Sequence, residues 1–366
     1  MQHVKTTKEM NLRNERTAYK PISIWLYIGV FMLVVQIVLG GITRLTESGL
    51  SITEWDPITG TLPPMNEQAW HEEFDKYKNT AQFQHIHADF TMSDFKNIFF
   101  WEWLHRNWAR LMGVVFIIGF VYFLIRKKFS GILIIPLVML FILGAIQGAI
   151  GWIMVQSGLV PERLFVGHIQ LATHFMAALL LLCYTFWFAL MLSVPKKDLV
   201  INKSLKNWNL VILVLLFFQL IYGAFMAGLH AAVAAPTWPT INGSWIPAEL
   251  NRLQPAFSNW INNKITIQFI HRGIAYLLVI FTFIWYFKSF NIAGSKLFRF
   301  ARNLPVIFVL LQVVLGIFTV TLSPFGNNLV YLGVAHQFVA ILFLLSVIWV
   351  IFMVRKHAPV YYLTER

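Results

Sequence analysis

Two ionisable side chains, Glu102 and His105, stand three residues apart inside an apolar, tryptophan-rich run, IFFWEWLHRNWARLMG (98–113). On a helix that spacing places a carboxylate and an imidazole on one face. The run passes without a break into VVFIIGFVYFLI. Both groups therefore belong near the outer end of a membrane helix, where ionisable side chains are costly and usually functional.

The imidazole has three counterparts. His105, His174, His271 and His336 are each followed four residues later by an alanine (Ala109, Ala178, Ala275 and Ala340). The apolar segments between them carry Gln-x-x-x-Gly, at Gln36 and Gly40, Gln147 and Gly151, Gln219 and Gly223, and Gln312 and Gly316. His271 lies 166 residues after His105, Gln312 lies 165 after Gln147, and His336 lies 162 after His174. A duplicated four-helix unit accounts for this register. Two histidines per four-helix bundle, on different helices at matching depth, are what bis-imidazole ligation of a heme iron requires. The small residue one turn below each histidine leaves room for the flat face of the macrocycle. The Gln-x-x-x-Gly pattern reads as helix packing, because small residues beside a polar one bring membrane helices together.

The halves are not identical. Three residues before the first histidine of each half stands Glu102 in one and Gln268 in the other. A carboxylate beside an exchangeable heme can take or deliver protons, and an amide cannot. Arg106 and Arg272 follow the histidines directly. Each could neutralise a heme propionate or could snorkel toward the outer surface.

The elements that must position these residues follow from composition. With 58% hydrophobic and 12% charged residues over 366 positions, the chain is a polytopic all-α membrane protein. Apolar runs of about 20 residues, the length that spans hydrocarbon, fall near 22–42, 99–125, 131–156, 166–193, 208–232, 264–287, 305–323 and 330–354. The expectation is eight transmembrane helices in two parallel four-helix repeats. A cytoplasmic tail (1–21) precedes an N-terminal half (22–193) with a long outer loop (43–97). A cytoplasmic linker (194–207), a C-terminal half (208–354) and a second tail (355–366) follow. The loop piece EQAWHEEFDKYKN reads as a short amphipathic helix at the interface, and a second outer loop (234–263) has the same turn-rich character.

Basic residues in the tail (Lys5, Lys8, Arg13, Arg16, Lys20), in Arg126 to Lys128, in the Lys196 to Lys206 and Lys288 to Arg302 loops, and at Arg355 and Lys356 all fall on one side. The positive-inside rule makes that side cytoplasmic, with both termini inside. The four histidines then lie at one depth, about 10 Å below the outer surface at 1.5 Å per residue. The net charge of +13 is topogenic and lipid-facing. It is not a nucleic-acid footprint.

The first 21 residues lack the apolar core of a cleaved signal peptide and carry Glu9 and Glu15. A bacterial inner membrane is expected. Cys183 is the single cysteine, so no intrachain disulfide or thiol mechanism is expected. His168, six residues before His174, faces another way and has no counterpart in the second half. His71, His85, His87 and His230 read as solvated or interfacial loop residues, and His3 and His357 lie in the tails. A metal site at His85 and His87 lacks further ligands.

The segments GGITRLTESGLSITEWDPITGTLPP, FKNIFFWEWLHR, LATHFMAALL, QFIHRGIAYLL and VAHQFVAILF resemble the heme A synthase family across all eight helices. The chain is most similar to the branch shared by bacteria and mitochondria, since it lacks the first-loop cysteine pair of the other branch. The resemblance implies oxidation of a methyl group of the substrate heme O to the formyl group of heme A, destined for terminal oxidases. It implies a substrate site at His105, His174 and Glu102, with two successive hydroxylations and loss of water from a gem-diol. It implies a resident heme b on His271 and His336 that relays electrons. The expected partners are heme O, the heme O synthase that supplies it, an electron acceptor in the membrane and the lipid bilayer, with no nucleic acid. Two other readings stand beside it. A di-heme b-type electron carrier needs hemes at different depths. A heme transporter needs a path to both faces, and its usual inverted repeat is absent.

Overall fold

The computed structural model describes residues 2–54, 59–129 and 131–356. Trp55 to Ile58 of the first-loop motif and the tail from His357 lie outside the described residues, as do the side chains before Tyr19. Twelve α-helices occur among the described residues. In chain order they are α1 (Gln2–Leu45), α2 (Glu67–Lys78), α3 (Ala81–His85), α4 (Met92–Ile125), α5 (Gly131–Gln156), α6 (His168–Ser193), α7 (Lys203–Gly228), α8 (Asn259–Asn262), α9 (Lys264–Phe290), α10 (Lys296–Ala301), α11 (Leu304–Thr321) and α12 (Asn328–Met353).

Eight segments are long and apolar enough to cross a membrane: α1 from Tyr19, α4, α5 from Leu133, α6, α7, α9, α10 with α11, and α12. These match the eight apolar runs of the sequence. The boundaries differ where polar residues start a helix. α4 begins at Met92 and not near 99, because Thr91 and Asp94 form a reciprocal capping box that satisfies amides a helix start leaves open. Asn263 likewise accepts from the amides of Ile265 and Thr266 at the start of α9. The expected loop helix is present as α2, capped by Asn66.

Within the first half α1 packs along α4 and α6, and α5 packs along α6. In the second half α7 packs along α9, and α11 along α12. The halves meet through α6 with α7 and α1 with α12. Because lipid is as apolar as leucine, close packing and interhelical hydrogen bonds must hold such helices together. Trp108 donates to the Met32 carbonyl (2.9 Å) and Gln337 to the Ile37 carbonyl (2.9 Å). The repeat is not kept everywhere. α9 packs along α11, whereas their counterparts α4 and α5 meet chiefly through side chains, Phe116 and Phe120 of α4 against Phe141 of α5 with ring centroids 4.5 and 5.4 Å apart.

The two ends of the bundle are closed differently. At the basic end β1 (Val200–Ile201) pairs in parallel with β2 (Val354–Arg355), which ties the linker between the halves to the end of α12. At the other end the first long loop builds a small core of its own from Phe74, Tyr77, Phe95, Ile98 and Phe99, seated on the protruding start of α4.

Candidate functional site

One largely apolar cavity of about 960 Å³ runs through both halves. All seven residues singled out in the sequence (Glu102, His105, Arg106, His174, His271, Arg272 and His336) line it. The four histidine rings are placed by one repeated contact. An alanine methyl at Gly40 would stand 2.7 Å from Cε1 of His105. The corresponding distances are 2.8 Å from Gly151 to His174, 3.4 Å from Gly223 to His271 and 3.1 Å from Gly316 to His336. The glycine of each Gln-x-x-x-Gly thus seats the imidazole of the next span.

Three of the four glutamines of the motif also act on the histidines, which the packing reading of the sequence did not anticipate. Gln147 donates to the carbonyl of His174 (3.1 Å) and lies 3.2 Å from its Nδ1. Gln312 donates to the carbonyl of His336 (2.6 Å), and Gln219 lies 3.2 Å from Nε2 of His271.

The backbones of Leu39, Gln219 and Gln312 lie against the buried rings of His105, His271 and His336, a contact that orients an imidazole and leaves its other nitrogen for a ligand. The His271 and His336 ring centroids are 6.4 Å apart. Two metal–imidazole bonds of about 2 Å each, with the half-widths of both rings, span about 6 Å. The donor set and spacing therefore fit an iron held between two imidazoles. Among the described residues no cluster of three or more His, Cys, Asp or Glu is arranged to hold a free metal ion.

Glu102 is almost fully buried, at 3% exposure. Its Oε1 accepts from Arg106 (2.6 Å), and its Oε2 accepts from the Ser51 hydroxyl (2.7 Å) and the Ile52 amide (2.9 Å). The second half reproduces this joint in uncharged form. Gln268 donates to the Ala231 carbonyl (2.6 Å) and accepts from Arg272. Both arginines also tie down the outer loops. Arg106 donates to the carbonyls of Ile52 and Glu54, and Arg272 to those of Ala235 and Thr240.

Sequence reasoning missed one cluster. His87 and His230, read there as solvated loop residues, converge on Glu47, with Nε2 atoms 3.4 and 3.5 Å from its two carboxylate oxygens. His87 is buried and lies 2.6 Å from the Tyr77 hydroxyl. The two imidazoles, His230 first, pull the Glu47 carboxyl down to about 2. The cluster joins the first outer loop to the second, and nothing in the local pattern of either loop announces it. His71 and His85 are exposed, as expected. His168 packs edge-on against Phe225 of α7.

Fold and cavity together define a polytopic α-helical membrane protein with paired imidazoles, the class that handles heme. Within it the chain belongs to the cytochrome oxidase assembly protein family COX15-CtaA, whose model matches residues 23–348. Its relatives include proteins named Heme A synthase. The one from Nitrosospira multiformis is 38% identical over 355 residues, covering 96% of this chain and 98% of that protein. The one from Flavobacterium psychrophilum is 40% identical over 332 residues, covering 89% and 95%. The one from Parvibaculum lavamentivorans is 43% identical over 257 residues, covering 70% and 74%.

Proposed function

We propose that this chain carries out the reaction its relatives are named for, converting heme O to heme A by oxidising a methyl group to a formyl group. The observation that carries this reading is the single cavity with an imidazole pair in each half, in a chain akin over nearly its full length to proteins named Heme A synthase. Its test is expression in a bacterial host that makes heme O but has no heme A synthase of its own. Heme A should appear in extracted heme, and heme O alone would refute the assignment.

The first half is the substrate side. His105 and His174 hold the heme O iron. Glu102 handles protons, or stabilises developing charge, as the methyl is hydroxylated twice and the gem-diol loses water. Ser51, Ile52 and Arg106 fix its carboxylate in place, since a proton-handling group works only where it is held within reach of the reacting atom. The second half, with Gln268 in place of the carboxylate, keeps its ligand. His271 and His336 would hold a heme b there, which when bound would carry electrons away from the substrate site. An electron acceptor in the membrane and a heme O synthase complete the partners. Arg106 and Arg272, bonded as they are to loop carbonyls, hold the caps over the cavity, and a propionate contact would add to that role.

The setting is a bacterial inner membrane with the basic end cytoplasmic and the cavity toward the periplasm. Reporter fusions after Lys197 should read cytoplasmic and fusions near Asn79 external. A cytoplasmic signal at Asn79 would invert the orientation.

A further inference from the structure

Arg44 is a buried cation that makes no direct ion pair among the described residues: it lies over the Phe165 ring (5.2 Å), and the carboxylate that acts on it, Glu47, is engaged by two histidines. It is 8% exposed and lines the cavity. Its hydrogen bonds all leave through Nη2, to the carbonyls of Ala227 and Gly228 (3.0 Å each), with Nδ1 of His230 at 3.3 Å. Nε is buried with no partner. Glu47, three residues on, directs its carboxylate to His87 and His230 instead, and among the described residues no carboxylate lies within ion-pair distance of Arg44. A guanidinium taken out of water without a counter-charge is strongly unfavourable. Its planar donor edge matches a carboxylate.

The position says which carboxylate. Gln36, Gly40 and Arg44 follow one another at four-residue spacing, so they share one face of α1, and all three line the cavity. Gly40 seats the His105 ring, and Arg44 lies one turn, about 6 Å, toward the outer end. The other cavity-lining arginines have nearby partners. Arg106 and Arg272 hold the caps, and Arg110 is bonded to Asn107. The repeat counterpart of Arg44, in register with Gln36 and Gln219, is Ala227, so this cation belongs to the first half alone.

We propose that Arg44 is a substrate-binding residue that pairs with a propionate carboxylate of the porphyrin held by His105 and His174. This rests on the heme-oxidising reading above. It fixes the rotation of the macrocycle about its iron and so decides which methyl group is presented for oxidation.

The test uses the full chain purified in detergent, titrated with iron protoporphyrin IX and, separately, with its dimethyl ester, which keeps the ring and iron but has no carboxylate. The part of the Soret change lost in His105→Ala isolates the first half. Unsubstituted protein should prefer the diacid by roughly 10- to 100-fold, the worth of a charge-assisted hydrogen bond. Arg44→Met should erase the preference, and Arg44→Lys should restore part of it. A residue that only caps the end of α7 would weaken both ligands equally, so an intact preference in Arg44→Met overturns the proposal. Equal affinity for acid and ester in unsubstituted protein, which needs no variant, overturns it as well. A signal indifferent to His105→Ala would instead sink the underlying heme reading.

Discussion

The two halves share the Gln-x-x-x-Gly and histidine pattern and differ in how their rings are seated and in the charge of one buried joint. In the second, the His271 and His336 rings face each other with centroids 6.4 Å apart, α9 packs on α11, and the joint beneath the outer loop is an uncharged glutamine. In the first, the His105 and His174 rings press harder on the neighbouring glycines. There α4 and α5 meet through Phe116 and Phe120 against Phe141, and the joint is a buried carboxylate. On the proposed reading the second is the tight half, a socket for a resident group, and the first the loose half, which exchanges its contents. Both sets of histidines line one cavity, and the proposed division of labour turns on Glu102 in one half standing where Gln268 stands in the other.

The largest effect should come from breaking the tight half. His271→Ala or His336→Ala leaves an iron with a single axial ligand and should abolish stably bound low-spin heme b. His168→Ala, outside the cavity lining, should leave that spectrum unchanged. Absorption spectra of the purified variants decide this, and a full b-type spectrum in either cavity variant would move the resident heme elsewhere.

Breaking the loose half should leave binding and remove turnover. Glu102→Gln keeps the shape and the imidazoles but not the charge, so conversion should slow by about 10²- to 10⁴-fold. Cells relying on it should accumulate heme O, some of it hydroxylated. Near-normal heme A would reduce Glu102 to a support for the loop at Ser51. The converse change, Gln268→Glu, should create no second active site.

Smaller effects should follow the glycine distances. Gly40→Ala and Gly151→Ala force methyls to within 2.8 Å of imidazole carbons, an overpacking worth about 1–3 kcal/mol, and should lower capture of added heme O. Gly223→Ala, at 3.4 Å, is ordinary contact and should be neutral. Equal effects in both halves, read by heme titration, would remove the distinction in ring seating.

The smallest concerns the clamp between the outer loops. With its carboxyl held near 2 against about 4.3 for an unfolded glutamate, Glu47 contributes stability that is complete above about pH 4.3 and lost as pH falls toward 2. Thermal unfolding in detergent from pH 6 to pH 3 should show this loss in the unsubstituted chain and a flatter profile in Glu47→Gln. Identical slopes would mean the clamp adds nothing.

The eight spans were legible because apolar runs of membrane length are a local signal, and the four histidines because they recur in register. The start of α4 at Met92 was legible in principle from Thr91-x-x-Asp94, but the polar residues around it hide the helix from a reading by hydropathy. The meeting of Glu47, His87 and His230 was not legible. It depends on two loops more than 140 residues apart in sequence folding over the same end of the bundle, and no periodicity within either loop encodes that. The same holds for Arg44. It stands in line with Gln36 and Gly40, yet its lack of a direct ion pair is visible only once its neighbours are placed.

Extracted-heme chromatography tests the division of labour most directly, on chain purified from cells with and without a supply of heme O. The expected result is close to one heme b per chain under both conditions. Heme O or heme A should appear beside it only with the supply and disappear in His105→Ala. Two equivalents of heme b per chain, with no heme O or heme A under either condition, would contradict the account and make both halves resident sites of an electron carrier.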